Sequence, residues 1–125
     1  MTGLKLMQEV RATPAHIADA DEKLRRYREC QTSLMTADSG NRDTFKDEIQ
    51  ALTDARARMV TEQEANLRAA MVMLDKMERR LKMVTYDYYV GGKSVGEVAR
   101  TERYDIRYIK RLKREADILL DSMEV

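Results

Sequence analysis

A chain of 125 residues can bury one modest core, and this one is 36% charged and 6% aromatic, with one Pro, no Trp and nine Met. Its supply of Ala, Leu, Met, Glu, Lys and Arg against few β-branched residues makes all-α the expected fold class. The net charge of +1 excludes nothing until it is divided along the chain.

No apolar run approaches the roughly 18 residues that a membrane helix needs. The opening MTGLKLMQEV has neither a basic n-region nor a continuous apolar stretch, so no membrane and a cytoplasmic location are expected. A lone Cys30 and a lone His16 offer no internal disulfide and no zinc ligand set. No metal, cofactor or small-molecule substrate is expected, and the absence of a phosphate loop or nucleophile motif argues against an enzyme.

In chain order, Leu4, Met7 and Val10 recur at a spacing of three and predict a short helical arm with no evident partner. Thr13-Pro14 reads as a helix start, Thr13 as N-cap and Pro14 at the first helical position, where its missing N–H costs nothing. Ile17, Ala20, Leu24, Tyr27, Gln31 and Leu34 then lie on one seam at coiled-coil spacing. His16 should be on the surface and Cys30 a small packed residue beside the seam. Turn formers at residues 36–43, centred on Gly40, predict a loop that ends in Asp43 as the next N-cap.

The following helix is expected to be long, because neither Pro nor Gly occurs between Thr44 and Val90. Its seam runs Phe45, Ile49, Leu52, Arg56, Met59, Gln63, Leu67, Ala70, Leu74, Met77, Leu81, Val84 and Tyr88, with a stutter at Gln63 that predicts locally straighter packing. The ~40 residues to Met83 would extend ~60 Å, about twice the first helix. The first helix should therefore fold back on the N-terminal half alone. The remaining seam, Leu67, Ala70, Leu74, Met77 and Leu81, then predicts a homodimer. Residues 1–83 are read as a helical hairpin and dimerisation stalk, and 84–125 as a separate C-terminal domain.

That domain carries the charge signal. From Lys93 to Glu115, eight basic residues face four acidic ones, a balance of +4, whereas the last ten residues carry three acidic ones and the first 92 are neutral. Gly91-Gly92 ends one helix and Ser94 caps a short second one that buries Val95, Val98 and Ala99. Asp105 caps a third, whose expected inner face is Ile106, Ile109, Leu112 and Ala116, continuing to Leu119 and Leu120. Arg107, Tyr108, Lys110, Arg111 and Arg114 fall outside that stripe, on a face suited to a DNA major groove. Arg107, Tyr108 and Arg111 are the candidates for base contacts, and Lys93, Arg100, Lys110 and Arg114 for phosphates. The other tyrosines read as core or edge residues, and a solvated basic face or a protein contact is the plain alternative to DNA.

The segment YYVGGKSVGEVARTERYDIRYIKRLKREADILL resembles region 4 of sigma-70-type RNA polymerase sigma factors. Tyr89, Gly92, Ser94, Glu97, Val98, Ala99, Asp105, Ile109 and Leu112 stand on the positions of that pattern. With its helical N-terminal part, the whole chain is similar to small phage and prophage proteins, including ArpU-like and RinA-like late-gene regulators. The resemblance implies a tri-helical helix-turn-helix and a transcription regulator in a bacterial host cell, with double-stranded DNA and RNA polymerase as partners. It leaves two alternatives: a module that contacts polymerase or another phage protein, and a DNA-packaging recognition subunit. One departure is Glu102-Arg103, where the pattern has an apolar residue and then Gly. Either Arg103 takes a costly left-handed conformation or the turn has another shape.

Overall fold

The computed structural model describes residues 1–37 and 44–125, and side chains at 35–37 are outside that description. The described residues form five α-helices: α1 (Gly3–Ala37), α2 (Lys46–Asp75), α3 (Arg79–Thr85), α4 (Val95–Glu102) and α5 (Ile106–Ser122). A π-helical turn, Tyr86–Val90, follows α3. α1 and α2 make a long hairpin, and the three shorter helices pack together after it. None of these helices is long and apolar enough to cross a membrane. The expected loop at residues 36–43, with its Gly40 and its Asp43 cap, lies outside the described residues from 38 onwards, and α1 itself runs to Ala37.

The chain divides into two compact units, one of residues 13–62 and one that joins residues 1–12 to 63–125. In the first, Ala20 and Leu24 are buried between the hairpin helices. Tyr27 packs on Phe45 with ring centroids 5.4 Å apart, the Gln31 side chain accepts from the Phe45 N–H, and Arg56 pairs with Asp21. The exposed faces carry an ion-pair ladder, in which Arg25 bonds both Glu22 and Glu29. The guanidinium of Arg25 first, and then that of Arg26, hold the Glu22 carboxyl below its ordinary range. His16 is exposed, and so is Cys30, which does not pack beside the seam as expected.

Pro14 does not start a helix. α1 runs through it without interruption for 35 residues. A proline inside a helix removes the N–H that would bond the carbonyl four residues earlier, at a cost of about 3 kcal/mol. That carbonyl belongs to Val10, and the Gln63 side-chain amide donates to it at 3.0 Å. The polar residue at the seam's stutter thus supplies the donor that proline lacks.

The early start of α1 changes the fate of the α2 seam. Leu6, Met7 and Val10 pack with Ala70, Met73, Leu74 and Met77, closed by Tyr89 and Leu120, into one core of the second unit. Met7, Ala70, Leu74 and Leu120 have no accessible surface. The residues predicted to form a dimer seam are therefore covered within the chain: Ala70, Leu74 and Met77 are buried, and Leu67 and Leu81 pack against the same core. A second copy is not needed to cover them. The N-terminus is closed by pairing with the C-terminus, where Gly3 N donates to Met123 O and the Met1 amino group meets Glu124. A Cβ on Gly3 would sit 2.7 Å from Met73 Sδ and 2.9 Å from Leu120 O, so only glycine allows this approach.

The long second helix is also shorter than expected. α2 stops at Asp75 although no Pro or Gly is near, because the N–H groups of Lys76 and Met77 turn back to Met73 O and Leu74 O, and Glu78 caps α3 by accepting from Arg80 N. Met77 is buried in the first core, whereas Val84 joins a second core with Val98, Ala99, Ile109 and Leu112, and Leu81 touches both. The break lies where the seam passes from the first core to the second.

Candidate nucleic-acid interface

The second core positions the basic helix. Gly91 N donates to Tyr86 O, closing the π turn, and Lys93 N donates to Asp87 O. Gly92 has φ +70°, which an L side chain rarely adopts, and a Cβ on Gly91 would fall 2.8 Å from Asp87 O. Ser94 then caps α4 by accepting from Glu97 N, and its hydroxyl donates to the Glu97 carboxylate. Ser94 and Glu97 hold the spacing of a capping box, but the Glu97 carboxylate meets the Ser94 hydroxyl and not its backbone N–H. Val98 and Ala99 are buried and Val95 is half-buried. Arg11, from the first turns of α1, donates to the carbonyls of Tyr88 and Lys93 and lies 3.9 Å from the Tyr88 ring centroid. Nothing in the spacing of the N-terminal arm pointed to this clamp.

Between α4 and α5, Arg103 takes the left-handed conformation, φ 60° and ψ 44°. Of the two shapes left open for this turn, the strained one occurs. The N–H groups of Arg103 and Tyr104 both return to Ala99 O, which ends α4 in the manner that glycine usually serves. Asp105 then caps α5, accepting from Arg107 N at 2.8 Å.

On α5, Ile109, Leu112, Ala116 and Leu120 are buried, in agreement with the expected inner face. Ile106 departs from it. At 43% exposed it lies outside the core, beside Gly96. Arg107, Lys110, Arg111 and Arg114 are exposed, as is Arg100 on α4, and Lys93 is half-buried. Arg107, Arg111 and Arg114, spaced four and three, share one face of α5.

Tyr108 was the aromatic candidate for base contact, and its surroundings differ from that expectation. Its ring is half-buried against the second core and stacks on Tyr104, with centroids 5.2 Å apart and planes 18° apart. The hydroxyl accepts from Arg80 Nη1 at 2.9 Å, and Arg111 lies 5.0 Å from the ring centroid. Tyr104, read as core or edge, is the more exposed ring. Arg79 and Arg80 were missed by the charge reckoning, because they sit in the electrically neutral first 92 residues and reach α5 only through the packing of α3 on it.

Two other groups near the interface are perturbed. Asp117 accepts from the Tyr89 hydroxyl at 2.6 Å and from Lys113 at 2.7 Å, so Lys113 does not belong to the outward basic face. Burial first, and then the neighbouring Asp117, push the Tyr89 phenol far above its ordinary value. The neighbouring Asp87 carboxyl raises that of Glu102 above its ordinary range. No family model, curated protein or solved structure matches the chain.

Proposed function

We propose that the chain is a sequence-specific double-stranded DNA-binding transcription regulator of phage type, in which α4, the Arg103 turn and α5 act as a sigma-region-4-like helix-turn-helix. One observation carries this reading. α5 is capped by Asp105, buries Ile109, Leu112 and Ala116, and turns Arg107, Lys110, Arg111 and Arg114 to solvent. A helix seated this way by its apolar stripe can enter a major groove with its arginines foremost, where Arg107 and Arg111 suit guanine O6 and N7. Lys110, Arg114 and Arg100 suit phosphates, and so does Lys93 at the entry to α4. Tyr108 is better placed to brace Arg111 than to read a base.

The case for a homodimer now rests on the small contact set of a single module, which two half-sites would double. A protein-interaction module that meets RNA polymerase or another phage protein is the second reading. The exposed apolar side chains of Ile106 and Ile118, at opposite ends of α5, favour it. The test is binding to the DNA upstream of the chain's own gene. Arg107→Ala with Arg111→Ala should abolish specific binding and leave the helical content unchanged. Undiminished affinity in that variant would refute the DNA reading.

A further inference from the structure

Beside α5 lies a hollow of about 430 Å³ lined by Arg79, Arg80, Met83, Glu102 and Tyr104. Its residues come from three places, the first turn and a half of α3, the end of α4 and the turn after it, and they meet only in the folded chain. Both arginines are exposed. Ion pairs among the described residues occupy Lys82 and Lys113 but neither Arg79 nor Arg80. Glu102 is the acidic member of the lining, and the neighbouring Asp87 carboxyl raises its own above the ordinary range. The guanidinium of Arg80 is held in place by the Tyr108 hydroxyl, and the exposed Tyr104 ring forms one wall and stacks on the same Tyr108.

We infer that this hollow binds a phosphodiester of the DNA strand flanking the groove that α5 enters. The inference rests on the DNA reading above and adds a site to it. Two adjacent guanidinium groups present forks that match phosphate oxygens, and an arginine already fixed by a tyrosine loses little freedom on binding. The hollow is joined to the first turn of α5 through Tyr104 and Tyr108. A duplex with its major groove on α5 therefore carries one of its groove-edge backbones past Arg79 and Arg80. Such contacts set register and add affinity without reading sequence.

The test compares three full-length proteins, wild type, Arg79→Ala/Arg80→Ala and Arg107→Ala/Arg111→Ala, on upstream DNA and on a random-sequence duplex across a salt series. The Arg79/Arg80 variant should lose roughly tenfold in affinity on both DNAs alike, and its dependence of log affinity on log salt should flatten by about 1, the share of one phosphate. The Arg107/Arg111 variant should lose far more on upstream DNA than on random duplex. Unchanged affinity and slope in the Arg79/Arg80 variant, with the Arg107/Arg111 variant impaired, overturns the inference and leaves the DNA reading standing. A wild-type protein that binds neither duplex overturns both. Arg79→Ala alone should weaken binding to both DNAs by less than the double variant does. If it has no effect while Tyr108→Phe reproduces the double variant's defect, Arg80 merely positions Tyr108 and the inference fails.

Discussion

Gln63 shows how one side chain can answer a defect fifty residues away. Its amide donates to the Val10 carbonyl that Pro14 leaves without a backbone donor, and its own Oε1 is buried without a partner among the described residues. Burying an unpaired carbonyl costs about 1–3 kcal/mol. Gln63→Met removes the donor to Val10 and also the unpaired Oε1. Its effect on stability should therefore be less favourable by about 1–2 kcal/mol in the wild type than in a Pro14→Ala background. There the helix makes its own bond to Val10, and denaturant unfolding reads only the relief of Oε1. Equal effects in both backgrounds would show that the proline and the glutamine are independent. The sequence displayed Gln63 as a break in the seam, but its use is visible only when Val10 lies opposite it.

At the scale of elements, caps were legible and one turn was not. Ser94 and Asp105 cap α4 and α5 as expected, because capping depends on a few neighbouring backbone groups. The Arg103 turn could have had either of two shapes, since the penalty for a left-handed arginine is small enough for packing to override. α4 and α5 are locked together by Val98, Ala99, Ile109 and Leu112, and the connection takes the conformation that this packing demands. Arg103→Gly should relieve the strain and stabilise the fold by roughly 0.5–1 kcal/mol, the left-handed penalty less the entropy that glycine gains when unfolded. Thermal and denaturant unfolding measure this directly. A loss of stability would mean that the Arg103 side chain contributes more than its backbone conformation costs. The break at residues 76–78 was hidden for a related reason: it contains neither Pro nor Gly and falls where the seam passes from one core to the other.

For the whole molecule, the decisive event is the return of residues 1–12 to the helices that follow residue 62. They cover Leu74 and its neighbours, and Arg11 holds the segment from which α4 departs. Leu74→Ala should accordingly cost about 2–5 kcal/mol, with an unfolding midpoint that does not change with protein concentration. A midpoint that rises with concentration in the wild type and loses that dependence in Leu74→Ala would restore the dimer seam. The sequence by itself determined the helical class, the amphipathic stripes, the caps and the basic outward face of α5, because composition, periodicity and capping act over a few residues. Which stripe covers which, where α2 ends, how Pro14 is tolerated, and that Arg79 and Arg80 stand beside Tyr108 were decided by the tertiary structure. Those outcomes depend on contacts between residues far apart in the chain, whose burial outweighs the local signals of proline, glycine and left-handed strain.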